Sequence, residues 1–316
     1  MKFGAHVSIA GGFPSAVERA VESGCEAFQV FTKSANQWRA RSLEESEARG
    51  FRDAWRSGGF DAPIGHVSYL VNLGSPDDAV WSRSIEAFGD ELDRSERLGL
   101  AALVTHPGCH MGAGEDAGLR RIAEGINRVL ERRAEQRVLI ALENTAGQGS
   151  SLGKSFGEIR RIIDLVEQPD RMAVCIDTCH AHVSGHDLSN REGVRKMVRE
   201  FDDTVGIARL VALHVNDSKR ETGSRVDRHA HVGAGTIGLE GFFHLLHCRA
   251  LRRLPCLLET PKEDDMDRTN LAVLRALASA PACQEAVRAA SAARRRWARR
   301  KPSPRPPQLP FGRPRR

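Results

Sequence analysis

Residues 174–187 read "VCIDTCHAHVSGHD": a short apolar run that ends in Asp177, with His180, His182, His186 and Asp187 close behind. A strand that stops on a carboxylate and is followed at once by imidazoles offers metal-capable groups. Two ligands alone do not make a catalytic centre. What this stretch means therefore depends on how the other strands end.

Working outward, similar runs recur along the chain: "KFGAHVS" from Lys2, "AFQVF" from Ala27, "APIGHV" from Ala62 and "ALVTHP" from Ala102. They continue as "VLIALEN" from Val138, "MAVCIDT" from Met172, "RLVALHV" from Arg209 and "LPCLLET" from Leu254. Amphipathic stretches separate them. In "EIRRIIDLV", Ile159, Ile162, Ile163 and Val166 fall at i, i+3, i+4 and i+7, one face of a helix. Ser75-Pro76-Asp77 predicts a helix start, with Ser75 as cap, Pro76 in the first turn and Asp77 near the positive dipole end. Eight βα units suit a (β/α)₈ TIM barrel, typically about 250 residues, as a single domain over residues 1–282. A doubly wound open sheet is the rival. It gives no reason for nearly every strand to end in a polar group.

The polar groups fall at those ends. His66 closes the third run, His106 the fourth, Glu143 the fifth and Asp177 the sixth, with His180 just beyond. His214 closes the seventh, Asp227 and His229 lie in the loop after it, and Glu259 closes the eighth. In a barrel, all C-terminal strand ends converge on one mouth. A lone buried histidine is commonly a hydrogen-bonded core residue, and a lone glutamate is commonly solvated. Clustered carboxylates on six adjacent strand ends instead require a compensating cation. Five imidazoles and four carboxylates suit zinc, with manganese or iron as alternatives. Nine ligands, one of them bridging, could serve three divalent cations. Their positive charge exceeds that of the four carboxylates by two, enough to balance a hydroxide and a phosphodiester. This balance points to an anionic, phosphate-containing substrate.

Composition sets limits. No apolar run approaches the roughly 18 residues needed to span a bilayer, and the N-terminus lacks a secretory h-region. The seven cysteines follow no paired spacing, as expected of reduced thiols in a cytoplasmic protein, nucleoid-associated if the chain is bacterial. The net charge of +6 conceals an asymmetry. Residues 288–316 hold 11 of the 47 Lys and Arg and none of the 41 Asp and Glu, leaving 36 bases against 41 acids, a net −5, before them. An acidic body thus carries an Arg/Pro-rich tail. From residue 283 to 316 it is expected to be disordered and to attract DNA nonspecifically.

At the ligand positions the chain resembles the endonuclease IV family of apurinic/apyrimidinic endonucleases. The matching segments are "GAHVS" at Gly4, "SYLVNLG" at Ser68, "HPG" at His106 and "LENTAGQGSSLG" at Leu142. Further on come "CIDTCHA" at Cys175, "LHVNDSK" at Leu213, "GSRVDRHAHVGAGTIG" at Gly223 and "LLET" at Leu257. The resemblance runs over roughly residues 1–280. It implies a barrel with three zinc ions that hydrolyses the phosphodiester 5′ to an abasic site, leaving a 3′-hydroxyl and a 5′-deoxyribose phosphate. It also implies removal of blocking groups from damaged 3′ ends of double-stranded DNA, by a monomer.

Carried over residue by residue, the resemblance gives His66, His106 and Glu143 to one metal. Glu143 bridges to a second, held by Asp177, His214 and Glu259. His180, Asp227 and His229 hold the third. Glu143 and Glu259 are the carboxylates expected to be essential to catalysis. His182, His186, Asp187, His110 and His231 are expected near the site but not as ligands, and His6 as support or packing. Tyr69 and Leu70 match the family's wedge into the base stack, and Gln37 matches in the loop "TKSANQW", where Asn36 stands at a position many members fill with Arg. Lys219 and Arg228 are expected phosphate contacts. A sugar isomerase or epimerase on the same barrel is the competing reading. It has no use for the third metal's ligands in "DTCH" and "VDRH".

Overall fold

The alternation of apolar runs and amphipathic segments closes on itself. In the computed structural model, which describes residues 1–262 and 266–298, eight strands are β1 (Lys2–His6), β2 (Ala27–Phe31), β3 (Ile64–His66), β4 (Ala102–Thr105), β5 (Leu139–Glu143), β6 (Met172–Asp177), β7 (Leu210–His214) and β8 (Pro255–Leu258). They pair in parallel, each with its neighbours in chain order, and β8 pairs with β1 to close the barrel. The helices are α1 (Phe13–Glu22), α2 (Glu45–Ser57), α3 (Asp78–Leu98), α4 (Glu115–Glu131) and α5 (Phe156–Leu165). Beyond these come α6 (Thr178–Ser184), α7 (Arg191–Thr204), α8 (Gly238–Leu246), α9 (Met266–Ser279) and α10 (Cys283–Ala298). The expected (β/α)₈ barrel is what forms. Among the described residues no helix is long and apolar enough to cross a membrane, and all seven cysteines are free.

The period-two alternation of a strand determines where the site lies. Ile64, Val104, Ala141, Cys175, Ala212 and Leu257 form one apolar cluster inside the barrel. Leu103, Ile140, Leu142, Val174, Leu213 and Leu258 belong to the separate core between strands and helices. Two residues beyond each inward side chain stand His66, His106, Glu143, Asp177, His214 and Glu259. The ligand candidates are thus the next inward positions, at the rim where the apolar filling stops. Close packing at the other end is strict: a Cβ on Gly4 of β1 would sit 1.6 Å from the Ala27 carbonyl oxygen.

Two expectations are corrected. Helix α3 is capped by Asp77, not Ser75: the Asp77 carboxylate accepts the Val80 amide at 2.9 Å, while Ser75 Oγ accepts the Asp77 amide. The carboxylate satisfies an amide of the first turn, so Pro76 lies before the cap. The basic segment expected to be disordered from Cys283 is helical as far as Ala298. Ala286 and Ala290 are fully buried and Ala293 packs on the same core, giving α10 an apolar stripe against α8 and α9. The remainder of the expected tail, residues 299–316, lies outside the described residues.

Candidate metal centre

The nine side chains meet at the C-terminal mouth of the barrel in three groups, within each of which the potential ligand atoms lie within 4.8 Å of one another. His66, His106 and Glu143 form the first, and Glu143, Asp177, His214 and Glu259 the second. His180, Asp227 and His229 form the third. Glu143 therefore belongs to two. Its Oε2 faces His66 and His106, each at 3.2 Å, and its Oε1 faces His214 at 3.2 Å and His180 at 3.1 Å. The third group is assembled from separate elements. His180 comes from α6, Asp227 from the loop after β7, and His229 from a two-residue ribbon, His229–Ala230, paired antiparallel with Asp217–Ser218.

Four of the five histidines are oriented in the same way. One ring nitrogen is tied to a carbonyl oxygen: His66 Nδ1 to Val67 at 2.7 Å, His180 Nδ1 to Asn144 at 2.9 Å, His229 Nδ1 to Glu259 at 3.1 Å, and His214 Nε2 to the Gln29 side chain at 2.9 Å. A carbonyl can only accept, so a proton lies on that nitrogen, and the other faces the cavity, where the neutral ring offers its lone pair. His229 Nε2 is buried there without a hydrogen bond, although Asp227 Oδ1 is 3.3 Å away and Asp177 Oδ2 3.7 Å. A buried, partnerless lone pair among carboxylates fits a divalent cation, and so does the all-imidazole and carboxylate donor set.

Electrostatics reflect the crowding. Burial opposes ionisation of Glu143, but His214 and His106 overcome it and hold its carboxyl well below the usual range. Glu259 is likewise held well below by His214 and His6, and Asp227 is lowered by His180, against burial in both cases. Burial also opposes charge on the imidazoles. Even so, Glu143 raises His66, Asp177 and Asp227 raise His180 well above its ordinary value, and Cys175 and Glu259 do the same for His214. Glu143, Glu259 and Asp227 are held ionised by positive charge beside them, and without cations the raised His66, His180 and His214 contribute it.

Three residues absent from the sequence reading hold this centre in place. Gln29 on β2 accepts from His214 and donates to Glu259 Oε1 at 2.6 Å. Asn216 donates to Asp177 Oδ2 at 2.6 Å and accepts the Glu259 amide at 2.8 Å. Asn144 accepts the Asp177 amide at 2.7 Å. The available signal was a polar residue inside each apolar run, as in "AFQVF", "LEN" and "HVN". His6 meets Glu259 Oε1 at 3.1 Å, so it touches the centre through that carboxylate.

A family model described as a xylose isomerase-like TIM barrel matches residues 17–277. The protein named "Probable endonuclease 4" of Geobacter sulfurreducens is 46% identical over 276 residues, covering 87% of this chain and 93% of that one. The chain belongs to the endonuclease IV family. It is accordingly a metal-dependent endonuclease, a hydrolase of the deoxyribonuclease IV type. The crystal structure of endonuclease IV from Thermus thermophilus superposes with a TM-score of 0.79 at 36% identity, covering 88% of this chain and 98% of that one. A D-tagatose 3-epimerase-like protein, at 17% identity and a TM-score of 0.68 over 88% of this chain and 97% of that one, shares the fold alone.

Around this cluster of side chains the mouth opens as two cavities of about 500 Å³ each. Tyr69 lines both, is 68% exposed and stands against Phe31 and His66, with ring centroids 5.4 and 6.4 Å away. Leu70 beside it is half-buried, and Gln37, Lys219 and Arg228 are exposed. Arg228 lines the first cavity, and its carbonyl accepts the Lys219 amide at 2.9 Å. His182, His186, Asp187, His110 and His231 stand outside the three groups. His182 contacts Thr236 and Thr222, His186 stacks on Phe156, Asp187 accepts from Ser189, His110 accepts from Gly112 and Gly114, and His231 meets Asn270.

Proposed function

We propose that this protein incises double-stranded DNA on the 5′ side of abasic sites, and trims phosphate-bearing blocks from damaged 3′ ends, with three divalent cations, zinc foremost. His66, His106 and Glu143 would hold one cation, Glu143, Asp177, His214 and Glu259 a second, and His180, Asp227 and His229 the third. The observation that carries this reading is the third group, with the unpartnered His229 Nε2 at its centre. Bound there, the cations would supply Lewis acidity, acidifying water and offsetting the charge of a phosphodiester.

The chain's own groups supply the rest. Glu143 and Glu259, both held ionised, are the bases available to take a proton from the attacking water, Glu259 at the Oε2 that faces His214. Gln29 and His6 fix its Oε1 and so aim that oxygen. Water oxygen bonds to phosphorus, the P–O3′ bond breaks, and the proton returns to O3′, giving a 3′-hydroxyl and a 5′-deoxyribose phosphate. Tyr69, Leu70 and Gln37 would occupy the gap left by an extruded abasic nucleotide, which lacks the stacking that holds a normal base. Lys219 and Arg228 would meet flanking phosphates. Every proposed ligand comes from one chain, so the site is complete in a monomer, which we place in the cytoplasm.

The test is incision of a duplex with one abasic site by zinc-loaded protein, beside chelated protein and Glu259→Gln. Cutting immediately 5′ to the lesion, lost in both controls, is the expected outcome. Equal cutting of intact duplex, or undiminished cutting by Glu259→Gln, would overturn it.

A further inference from the structure

We propose that Glu91, inside α3, is a positioning residue that locks rim loops 32–41 and 67–75 into a single unit, so that Tyr69 and Gln37 engage the lesion together. The proposal rests on the reading above that these loops grip DNA. The Glu91 side chain is fully buried, yet it belongs to none of the three ligand groups. Its Oε2 accepts from Thr32 Oγ1 at 2.8 Å, in the loop after β2. Its Oε1 accepts from Ser68 Oγ at 2.6 Å and the Ser68 amide at 3.1 Å, in the loop after β3. Lys33, equally buried, lies 3.4 Å from Oε1 and donates to the Trp38 carbonyl at 2.9 Å.

The same face of α3 adds further ties. Arg94 donates to the carbonyls of Thr32 at 2.7 Å and Arg41 at 3.0 Å, and Ser84 Oγ accepts the Asn72 amide at 3.0 Å. The Tyr69 amide reaches across to the Ala35 carbonyl at 3.2 Å. A buried ion pair gains little over an apolar pair as stability, because desolvation consumes the attraction. It does provide direction. The two oxygens together hold Thr32 and Lys33 of one loop and Ser68 of the other, and the first loop offers few apolar anchors of its own: Ser34, Asn36, Gln37 and Arg39 are exposed. With both loops held in advance, less ordering is left to the moment of binding.

Tyr69 is the sole tyrosine of the chain, so 3-fluorotyrosine labelling gives one fluorine resonance at the wedge itself. In metal-loaded Glu91→Gln, amide protection in both loops is expected to fall together, by about tenfold or more, the size of one lost buried charged acceptor. The fluorine resonance should broaden or shift. Metal content should hold, and KM for abasic duplex should rise about tenfold while kcat stays within about twofold. Ser68→Ala, which removes one donor and leaves the buried carboxylate in place, should move the same observables in the same direction by less, so the proposal stays testable should Glu91→Gln not fold. Asp93→Asn, on the side of α3 that faces Arg133, should leave both loops protected. Retained protection, or loss in one loop only, overturns the coupling. If wild-type protein shows no preference for abasic duplex, the DNA reading fails, while exchange and the fluorine signal still decide the coupling.

Discussion

His180 Nε2 lies 3.1 Å from Asp227 Oδ2, joining a short helix after β6 to an irregular loop after β7. The Arg225 amide braces the same two elements by donating to the Val183 carbonyl at 2.9 Å, and each of the two has His229 as its further neighbour. If this trio holds a cation, Asp227→Asn should lose one metal equivalent of three. It should also slow incision at least about a hundredfold, given that even outer-shell changes cost metal sites 10–100-fold. Elemental analysis beside single-turnover rates checks it. Full metal content with normal rates would remove the third site.

Gln29 supports both His214 and Glu259 from a strand that supplies no ligand. Gln29→Leu keeps the shape but leaves His214 Nε2 without that acceptor and Glu259 Oε1 with His6 as its remaining side-chain partner. Affinity for the cation in that group is expected to drop about 10–100-fold, and the other two groups should be spared. Competition with a chelator measures the loss. Uniform weakening of all three would argue for general disruption.

Tyr69 is exposed, lines both cavities and belongs to none of the three ligand groups. Tyr69→Ala should therefore leave metal content unchanged while weakening abasic-duplex binding by about 5- to 150-fold, the range for one aromatic–base stack of about 1–3 kcal/mol. Affinity for intact duplex should barely change. Equal losses on both DNAs would contradict the wedge.

Metal and pH act on the fold in opposite senses. In metal-free protein His180 and His214 have raised values, so their contribution to stability is fully present below about pH 6.5 and lost as pH rises through the raised values. Glu143 and Glu259 are lowered, so theirs is present above about pH 4.3 and lost as pH falls through the lowered values. Zinc instead requires neutral imidazoles, and its stabilisation grows as protons leave. The increase in Tm on adding zinc should thus widen from about pH 5.5 to about pH 8. Thermal melts with and without zinc test this, and a constant or shrinking increment would contradict it.

Because Ala286 and Ala290 bury α10 against the barrel, a tail deletion should begin after Ala298 to leave the fold intact. Removing residues 299–316 takes away seven Lys or Arg. DNA affinity should fall at low salt, with the log–log salt slope flattening by about 0.9 for each phosphate no longer neutralised. Unchanged binding would leave the tail without a DNA role.

Much of this was readable along the chain, because strand periodicity is local. A side chain two residues past an inward Ala141 or Cys175 must itself face inward, so Glu143 and Asp177 could be placed at the mouth from their runs alone. Helix α10 is hidden at that level, since the basic and proline-rich composition of residues 283–316 as a whole masks it and only packing reveals that Ala286, Ala290 and Ala293 share a stripe.

The sequence by itself determined eight parallel strands, their facing and the six metal-capable side chains at the strand ends, since each follows from alternation within one short segment. Tertiary structure alone decided the distances at which the nine side chains meet, which ring nitrogen of His66, His180, His214 and His229 faces the cavity, and that Gln29 and Asn216 tie His214, Asp177 and Glu259 in place. Those outcomes depend on distances between residues far apart in the chain, which exist only once the barrel has closed.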